Sequence, residues 1–305
     1  YGGDRRPART RRGHPRSAAF PAATRTRLPQ AARCYRHVDT SVSITTLPMY
    51  DWPEVAADVD RLWARLATAL RDHGFDPPAV LDRSRSLDDR WLDPDLLVGQ
   101  TCGLPLVLRL ESEVTVIGAF DHNLPATQPG DYHSVVIVPD DDDARSIADL
   151  NGATVAVNGT DSQSGHGVWR HELVTAGIGR RRLGPTIDTG SHRASIHAVA
   201  DGRARTAAID AISWELAVRH DPAATRCRVA WRTDPTPALP LITTRANQPL
   251  LESMRTALTD AVDTLEPMTA DALLVHGFVP RLDDHYQVIA DRWNAAETAG
   301  VGPLL

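Results

Sequence analysis

From residue 41 onward, β-branched runs alternate with amphipathic helical segments, and no other feature of the sequence limits the fold as strongly. Residues 41–46 form the first strand signal, which stops at Leu47-Pro48 before a helical pattern that continues to Gly74. The same order returns along the chain, with strand signals at 154–157 and 206–210, each followed by a helical segment. This alternation predicts an α/β fold with mostly parallel sheets flanked by helices.

Length and charge narrow the possible functions. The chain has 305 residues, 42% of them hydrophobic and 24% charged, which is typical of a globular protein with room for two lobes. No uncharged apolar stretch approaches the roughly 18 residues of a transmembrane helix. The net charge is −6, but residues 1–40 hold ten arginines against two acids, so the remainder carries −14. Because nucleic-acid binding needs many cationic contacts to phosphates, we expect no nucleic-acid partner.

Residues 1–40 differ from the rest of the chain. They are rich in Arg, Pro and Ala and show no periodic apolar face, so we expect a disordered tail. A basic start with Arg11-Arg12 suggests a signal peptide, but the apolar segment of about 7 to 15 residues is missing. The sequence therefore predicts no export signal in this chain and a biological start near Val38 or Val42, which would leave the protein in the cytoplasm. A basic arm for nucleic acid is the alternative for this segment.

Signatures of catalysis and of metal binding are missing. The three cysteines include no C-x-x-C pair, which indicates free thiols rather than a zinc or redox site. There is no G-x-S-x-G turn and no phosphate-binding P-loop, and the acidic run at 140–143 lacks the spacing of a calcium loop. We expect no catalytic residue, no metal and no cofactor.

The junctions between strands and the helices that follow them are candidate ligand sites. Ligands of open α/β sheets lie beyond the carboxyl ends of strands, where backbone N–H groups are available. The most informative junction is the loop at 158–166, NGTDSQSGH, in which glycines, hydroxyls and a helix N-terminus can hold an oxyanion without a formal cation. A simple capped helix is the alternative, because Asp161, Ser162 and Ser164 are all suitable N-caps.

Other junctions place polar side chains in equivalent positions: Tyr50, Gln100, Thr101, Ser191, His192 and Asp210. His192 can donate to an anionic oxygen in either protonation state, although a helix-cap or surface role is the alternative. Asp210 can accept from a ligand ammonium or hydroxyl, or it can cap the next helix. Tyr50 can place its hydroxyl over a cleft, or it can belong to the core.

Several stretches resemble the phosphonate/phosphate-type substrate-binding proteins of ABC importers: SITTLPMYDWPEV, DLLVGQTCG, YHSVVIV, NGTDSQSG, TGSHRASIHAVADGRARTAAIDA and DPTPALPLIT. The resemblance covers about residues 41–281. It implies the type 2 periplasmic-binding fold, in which two α/β lobes joined by two crossover segments enclose the ligand. The implied division is a tail at 1–40, lobe I at 41–131, lobe II with both crossovers at 132–235, and the rest of lobe I with the C-terminal helices at 236–305.

The same resemblance implies ligand-binding residues. The family's hydroxyl-rich loop holds the oxyanion through side chains and backbone N–H groups, and it matches Ser162, Gln163, Ser164 and Gly165. Gln163 stands where the family has a hydroxyl residue, which changes the size of one donor. Further family positions match Tyr50, Gln100, Thr101 and His192.

The function implied by the resemblance is that of a solute-binding component of an ABC importer. The protein would close on phosphate, phosphite or a phosphonate, perform no chemistry, act as a monomer and meet an ABC permease, and the family is periplasmic. Two alternatives remain open at this point. One is an enzyme on the same fold, like those of thiamin or menaquinone pathways, with His192 and Asp210 as acid–base candidates. The other is a cytosolic sensor of a small molecule.

Overall fold

The computed structural model describes residues 43–179 and 183–305. The predictions for residues 1–40, which concern the tail, its export signal and a start near Val38 or Val42, lie outside the described residues. Among the helices of the described ranges, none combines the length and the apolar character that a membrane crossing requires.

Two five-stranded sheets organise the described chain. Sheet I contains, in spatial order, β1 (Ile44–Thr46), β2 (Leu96–Gln100), β11 (Pro240–Thr244), β3 (Val114–Asp121) and β12 (Gly277–Pro280). Sheet II contains β7 (Thr186–Asp188), β6 (Val155–Val157), β8 (Thr206–Asp210), β5 (Ser134–Pro139) and β9 (Cys227–Arg232). A two-stranded ribbon of β4 (Asp131–Tyr132) and β10 (Thr236–Pro237) lies between them in the chain.

The sheets are mixed, so the prediction of mostly parallel sheets is wrong in this detail. In the two five-stranded sheets, β1 runs parallel to β2, and β6 runs parallel to β7 and β8; the other described pairings are antiparallel. The antiparallel directions follow from where the chain enters each sheet. Strand β5 follows the ribbon and starts beside the carboxyl end of β8, with Ser134 opposite Asp210, so it runs against β8. Strand β11 likewise starts beside the end of β2.

Helices cover both sheets, as predicted. They are α1 (Ala56–Asp72), α2 (Leu87–Trp91), α3 (Gly103–Pro105), α4 (Val168–Thr175), α5 (His192–Ala200), α6 (Ala211–His220), α7 (Leu251–Asp263), α8 (Pro267–Leu273) and α9 (Gln287–Thr298). Two of them are continuous with π-helical turns, since Leu106–Leu110 follows α3 and Gln163–Gly167 precedes α4.

The cores follow from the apolar spacing. In α1, residues such as Leu62, Leu66 and Leu70 lie on one face and pack with Leu258 of α7 against sheet I. The core of sheet II includes residues from the end of the chain, because Val301 and others after α9 pack there. The boundaries of the two lobes at 131/132 and 235/236 stay a prediction.

Candidate ligand-binding site

A pocket of about 300 Å³ lies where loops of the two sheets meet. Its lining comes from the segments that follow β1 and β2 on the side of sheet I, and from those that follow β6, β7 and β8 on the side of sheet II. The carboxyl ends of parallel strands therefore place the loops at this pocket, which is where ligands of such sheets are found.

The loop after β6 provides hydroxyl groups on the side of sheet II. Ser162 is the N-cap of the π-helical turn, and its Oγ accepts the N–H of Gly165 at 3.0 Å. Ser164 Oγ lies 2.9 Å from His192 Nε2, and the carbonyl of Ser164 accepts the hydroxyl of Ser134 at 2.8 Å. A side chain at Gly165 would overlap Asn158 Oδ1 and lie 3.2 Å from His192 Cε1, so this close packing requires glycine.

The loop after β7 brings in His192. Gly190 has a φ of +78°, a conformation that favours glycine, and Ser191 caps α5 by accepting the N–H of Ala194 at 3.1 Å. Burial lowers the pKa of His192 to about 3, so the imidazole is neutral at ordinary pH. The site therefore presents a neutral His beside a serine hydroxyl rather than an imidazolium.

Asp210, at the end of β8, joins the two sides of the pocket. Its Oδ1 accepts the N–H groups of Ile212 at 2.8 Å and Ser213 at 3.0 Å, which caps α6. Its Oδ2 accepts the hydroxyl of Tyr50 at 2.9 Å from the side of sheet I. Burial raises the pKa of Asp210 to about 6. Burial and the negative charge of Asp210 also raise the pKa of Tyr50, which keeps its phenol protonated as a donor.

Two arginines form ion pairs across the cleft. Arg193 binds both carboxylate oxygens of Glu54 at 2.9 and 3.1 Å, and its Nε donates to Asp221 at 2.6 Å. Arg109 binds Asp88 at 2.6 Å and Asp161 at 3.2 Å. Of these two arginines, Arg193 is the one that lines the pocket. Its charge is compensated by the carboxylates of Glu54 and Asp221.

The wall on the side of sheet I is apolar and partly aromatic. It consists largely of Met49, Trp52, Leu87, Trp91, Pro105 and Leu239. Trp91 is buried and donates its indole N–H to the carbonyl of Gln100 at 2.9 Å. The guanidinium of Arg193 lies 4.8 Å from the ring centre of Trp52.

The structure brings together six of the ten residues predicted from the sequence: Tyr50, Ser162, Ser164, Ser191, His192 and Asp210. The other four predicted residues do not line the pocket. The side chain of Gln100 borders a separate small apolar cavity, and Thr101 is buried. Gln163 donates its backbone N–H to Cys102 Sγ at 3.3 Å and turns its side chain toward Gly167. The backbone N–H of Gly165 is engaged by Ser162, as described above. The roles of all ten residues stay a prediction.

Sequence reasoning missed several lining residues. Asn158 begins the loop that was predicted to bind the ligand, and Trp52 follows the predicted Tyr50 by two positions. Both residues could therefore have been predicted from their positions in the sequence. Trp91 and Leu87 had none, because the short helix α2 is too brief to show an apolar period.

Comparison with known proteins places this geometry in a family context. Residues 106–286 match the model of a family described as phosphonate periplasmic substrate-binding proteins of ABC transporters. A search of curated proteins found no match.

Solved structures support the same fold. PhnD1 from Prochlorococcus marinus in complex with methylphosphonate has a TM-score of 0.66 at 15% identity, covering 84% of this chain and 98% of its own. A phosphonate-transporter binding protein from Pseudomonas aeruginosa has a TM-score of 0.62 at 16% identity, covering 85% and 88%. The aliphatic sulphonate binding protein SsuA from Escherichia coli has a TM-score of 0.55 at 13% identity, covering 83% and 84%. These likenesses confirm the predicted periplasmic-binding fold.

Proposed function

Because the chain belongs to the phosphonate family of periplasmic substrate-binding proteins of ABC transporters, we propose that its pocket binds an oxyanion of the phosphate, phosphite or phosphonate class. Proteins of this family bind a solute for an ABC importer and are not enzymes, so the function of this chain is solute binding. Family membership thereby decides against the enzyme that the sequence left open. PhnD1 holds methylphosphonate, which supports a phosphorus oxyanion as the ligand of this chain.

The observation that carries this proposal is the group of hydroxyls at Ser162 and Ser164 beside a half-buried, neutral His192. For the Ser164 hydroxyl to donate to a ligand oxygen, the neutral His192 has to carry its proton on Nε2 and donate it to Ser164 Oγ. The N-terminus of the helical segment 163–175 adds partial positive charge. Neutral donors of this kind hold an oxyanion in a desolvated site without an uncompensated cation.

The family also supports a proposal for the partner and the compartment. We propose that the protein delivers its ligand to an ABC permease, and that it works in the periplasm or at the outer face of the cytoplasmic membrane. Association with a cognate permease and recovery from a periplasmic fraction support this proposal. Recovery from the cytoplasm together with a ligand-dependent protein partner supports the sensor instead.

Removal of the Ser164 hydroxyl tests the site. We expect Ser164→Ala to weaken binding of methylphosphonate at least tenfold, since a hydrogen bond to a charged group contributes about 1.5 to 3 kcal/mol. Isothermal titration calorimetry with phosphate, phosphite, methylphosphonate and sulfate measures this on the full chain. Ser112→Ala, at an exposed loop serine outside the pocket, is the matched control and keeps the wild-type affinity.

Two outcomes contradict the proposal. If the wild-type protein binds no phosphorus oxyanion, the proposed ligand class is wrong. If Ser164→Ala keeps both the wild-type affinity and the wild-type melting temperature, the proposed binding site is wrong.

A further inference from the structure

The two walls of the pocket have different chemistry. The side of sheet II presents polar groups, among them Asn158, Ser162, Ser164 and His192. The side of sheet I presents the apolar wall described above, with two tryptophans and a methionine. A pocket with one polar and one apolar wall is complementary to a ligand with one polar and one apolar end.

Resting on the proposed function, we infer that the natural ligand carries an apolar organic group of about the size of an aromatic ring on its phosphorus oxyanion. The ligand class is an organophosphonate or a phosphate monoester with such a group. Bare phosphate, phosphite and methylphosphonate still bind at the serines, but more weakly than a ligand that also contacts the apolar wall.

The volume of the pocket supports this class. A phosphate ion fills roughly the space of two or three waters, each with about 30 Å³ of liquid volume. The cavity of about 300 Å³ is several times larger. A bare oxyanion at the serines would therefore leave the space along the apolar wall to water, and burial of that wall would contribute nothing to affinity.

The aromatic side chains are held in place before any ligand arrives. Trp91 is 2% exposed and is fixed by its hydrogen bond to the carbonyl of Gln100. Arg193 covers Trp52, and Arg109 lies 5.9 Å from the ring centre of Trp91. Trp91 is nearly inaccessible and serves as a rigid backing, whereas Trp52 is partly exposed. Because Trp52 loses little further freedom on binding, a flat apolar group placed against its exposed part is bound at low entropic cost.

The charges of the pocket also favour a ligand with an apolar group. Arg193 is neutralised by Glu54 and Asp221, and the carboxyl of Asp210 faces the cavity beside Tyr50. Coulombic attraction for a small multiply charged anion is therefore weak, so contact with the apolar wall has to add to the affinity that the serine hydroxyls provide.

Leu87 and Leu92 provide a matched pair of variants for the test. Leu87 begins α2 and Leu92 follows its last residue, and they are 38% and 50% exposed. Leu87 lines the pocket, whereas Leu92 does not. The probes are benzylphosphonate, phenyl phosphate, methylphosphonate and inorganic phosphate, titrated calorimetrically into the full chain.

We expect benzylphosphonate or phenyl phosphate to bind at least tenfold more tightly than methylphosphonate, and the tighter of the two identifies the phosphonate or the phosphate ester as the source. Leu87→Ala should weaken the tighter aromatic probe several-fold and leave methylphosphonate unchanged, whereas Leu92→Ala should change neither. Trp52→Ala, checked for folding by its thermal melt, should weaken the aromatic probe by at least tenfold.

The outcomes separate this inference from the proposed function. If methylphosphonate or phosphate binds as tightly as both aromatic probes, the inference is overturned and the oxyanion function stands. If Leu87→Ala and Trp52→Ala both keep the wild-type preference, the inference is also overturned. If no phosphorus compound binds, the proposed function fails and the inference fails with it.

Discussion

At the scale of single residues, Asp210 combines structural and electrostatic roles in one carboxylate. One oxygen caps α6 through two backbone N–H groups, and the other accepts the hydroxyl of Tyr50. Burial works against the ionised form and raises its pKa to about 6. The charge beside the proposed oxyanion site therefore changes near pH 6.

The charge of Asp210 makes anion binding depend on pH. Below pH about 6 the carboxyl is neutral, and above it the carboxylate repels an oxyanion, so we expect the affinity for methylphosphonate to fall as pH rises from about 5 to about 8. Asp210→Asn keeps an acceptor for the helix cap and removes this titration. Calorimetric affinities of both proteins across the range measure it.

Titration of the ligand itself is common to both proteins and cancels in the ratio of their affinities. A ratio that is constant from about pH 5 to about pH 8 contradicts the predicted role of Asp210. A ratio that changes in the opposite sense indicates a ligand whose cationic group meets the carboxylate.

At the scale of elements, the π-helical turn Gln163–Gly167 is held by the end of the chain. His166 is buried; its Nδ1 pairs with the carbonyl of Thr160 at 2.7 Å, and its Nε2 accepts the N–H of Leu304 at 3.0 Å. Leu304 itself packs in the core of sheet II. The loop that carries Ser162 and Ser164 is thus braced by a segment nearly 140 residues away in the sequence.

His166→Ala should loosen this loop. We expect a loss of about 1 to 3 kcal/mol in the free energy of unfolding, because the variant removes this partner from the buried N–H of Leu304. Denaturant melts measure the loss, and calorimetry with methylphosphonate should show weaker binding. His285→Ala is the control, since the exposed His285 also accepts a backbone N–H but water can replace it. Equal stability of the two variants refutes this bracing role.

At the scale of the whole described unit, several contacts connect the two sides of the cleft. They include the ion pair of Arg193 with Glu54, the ion pair of Arg109 with Asp161, the hydrogen bond from Tyr50 to Asp210, and that from the N–H of Gln163 to Cys102 Sγ. Each ion pair also lies against a tryptophan of the pocket wall. Closure of the cleft and the shape of the pocket are therefore linked through the same side chains.

Weakening an ion pair should speed up ligand release. We expect Arg109→Gln to raise the dissociation rate of the ligand a few-fold at low salt and less at high salt, because exposed ion pairs contribute about 0 to 1 kcal/mol and are screened. Stopped-flow dissociation at two ionic strengths measures it. Arg226→Gln is the control, since Arg226 pairs with Asp201 on the side of sheet II alone. Identical rates in both variants and in the wild type contradict a link between the ion pair and closure.

The periodic elements were predictable because their signals are local. The spacing of apolar residues in α1, the buried run of β8 and the glycine- and hydroxyl-rich loop after β6 are all visible within short windows. The short helix α2 and the edge strand β12 were not, because five and four residues do not complete a period.

The sequence by itself determined the α/β class, the family resemblance and the loops at which a ligand would bind, because glycines, caps and apolar periods act over a few residues. Only the tertiary structure decided the mixed strand directions, the neutral state of His192, the engagement of both arginines by carboxylates and the apolar wall opposite the serines. These properties depend on which distant segments share a surface and on how much water they exclude, and such long-range contacts leave no local pattern in the chain.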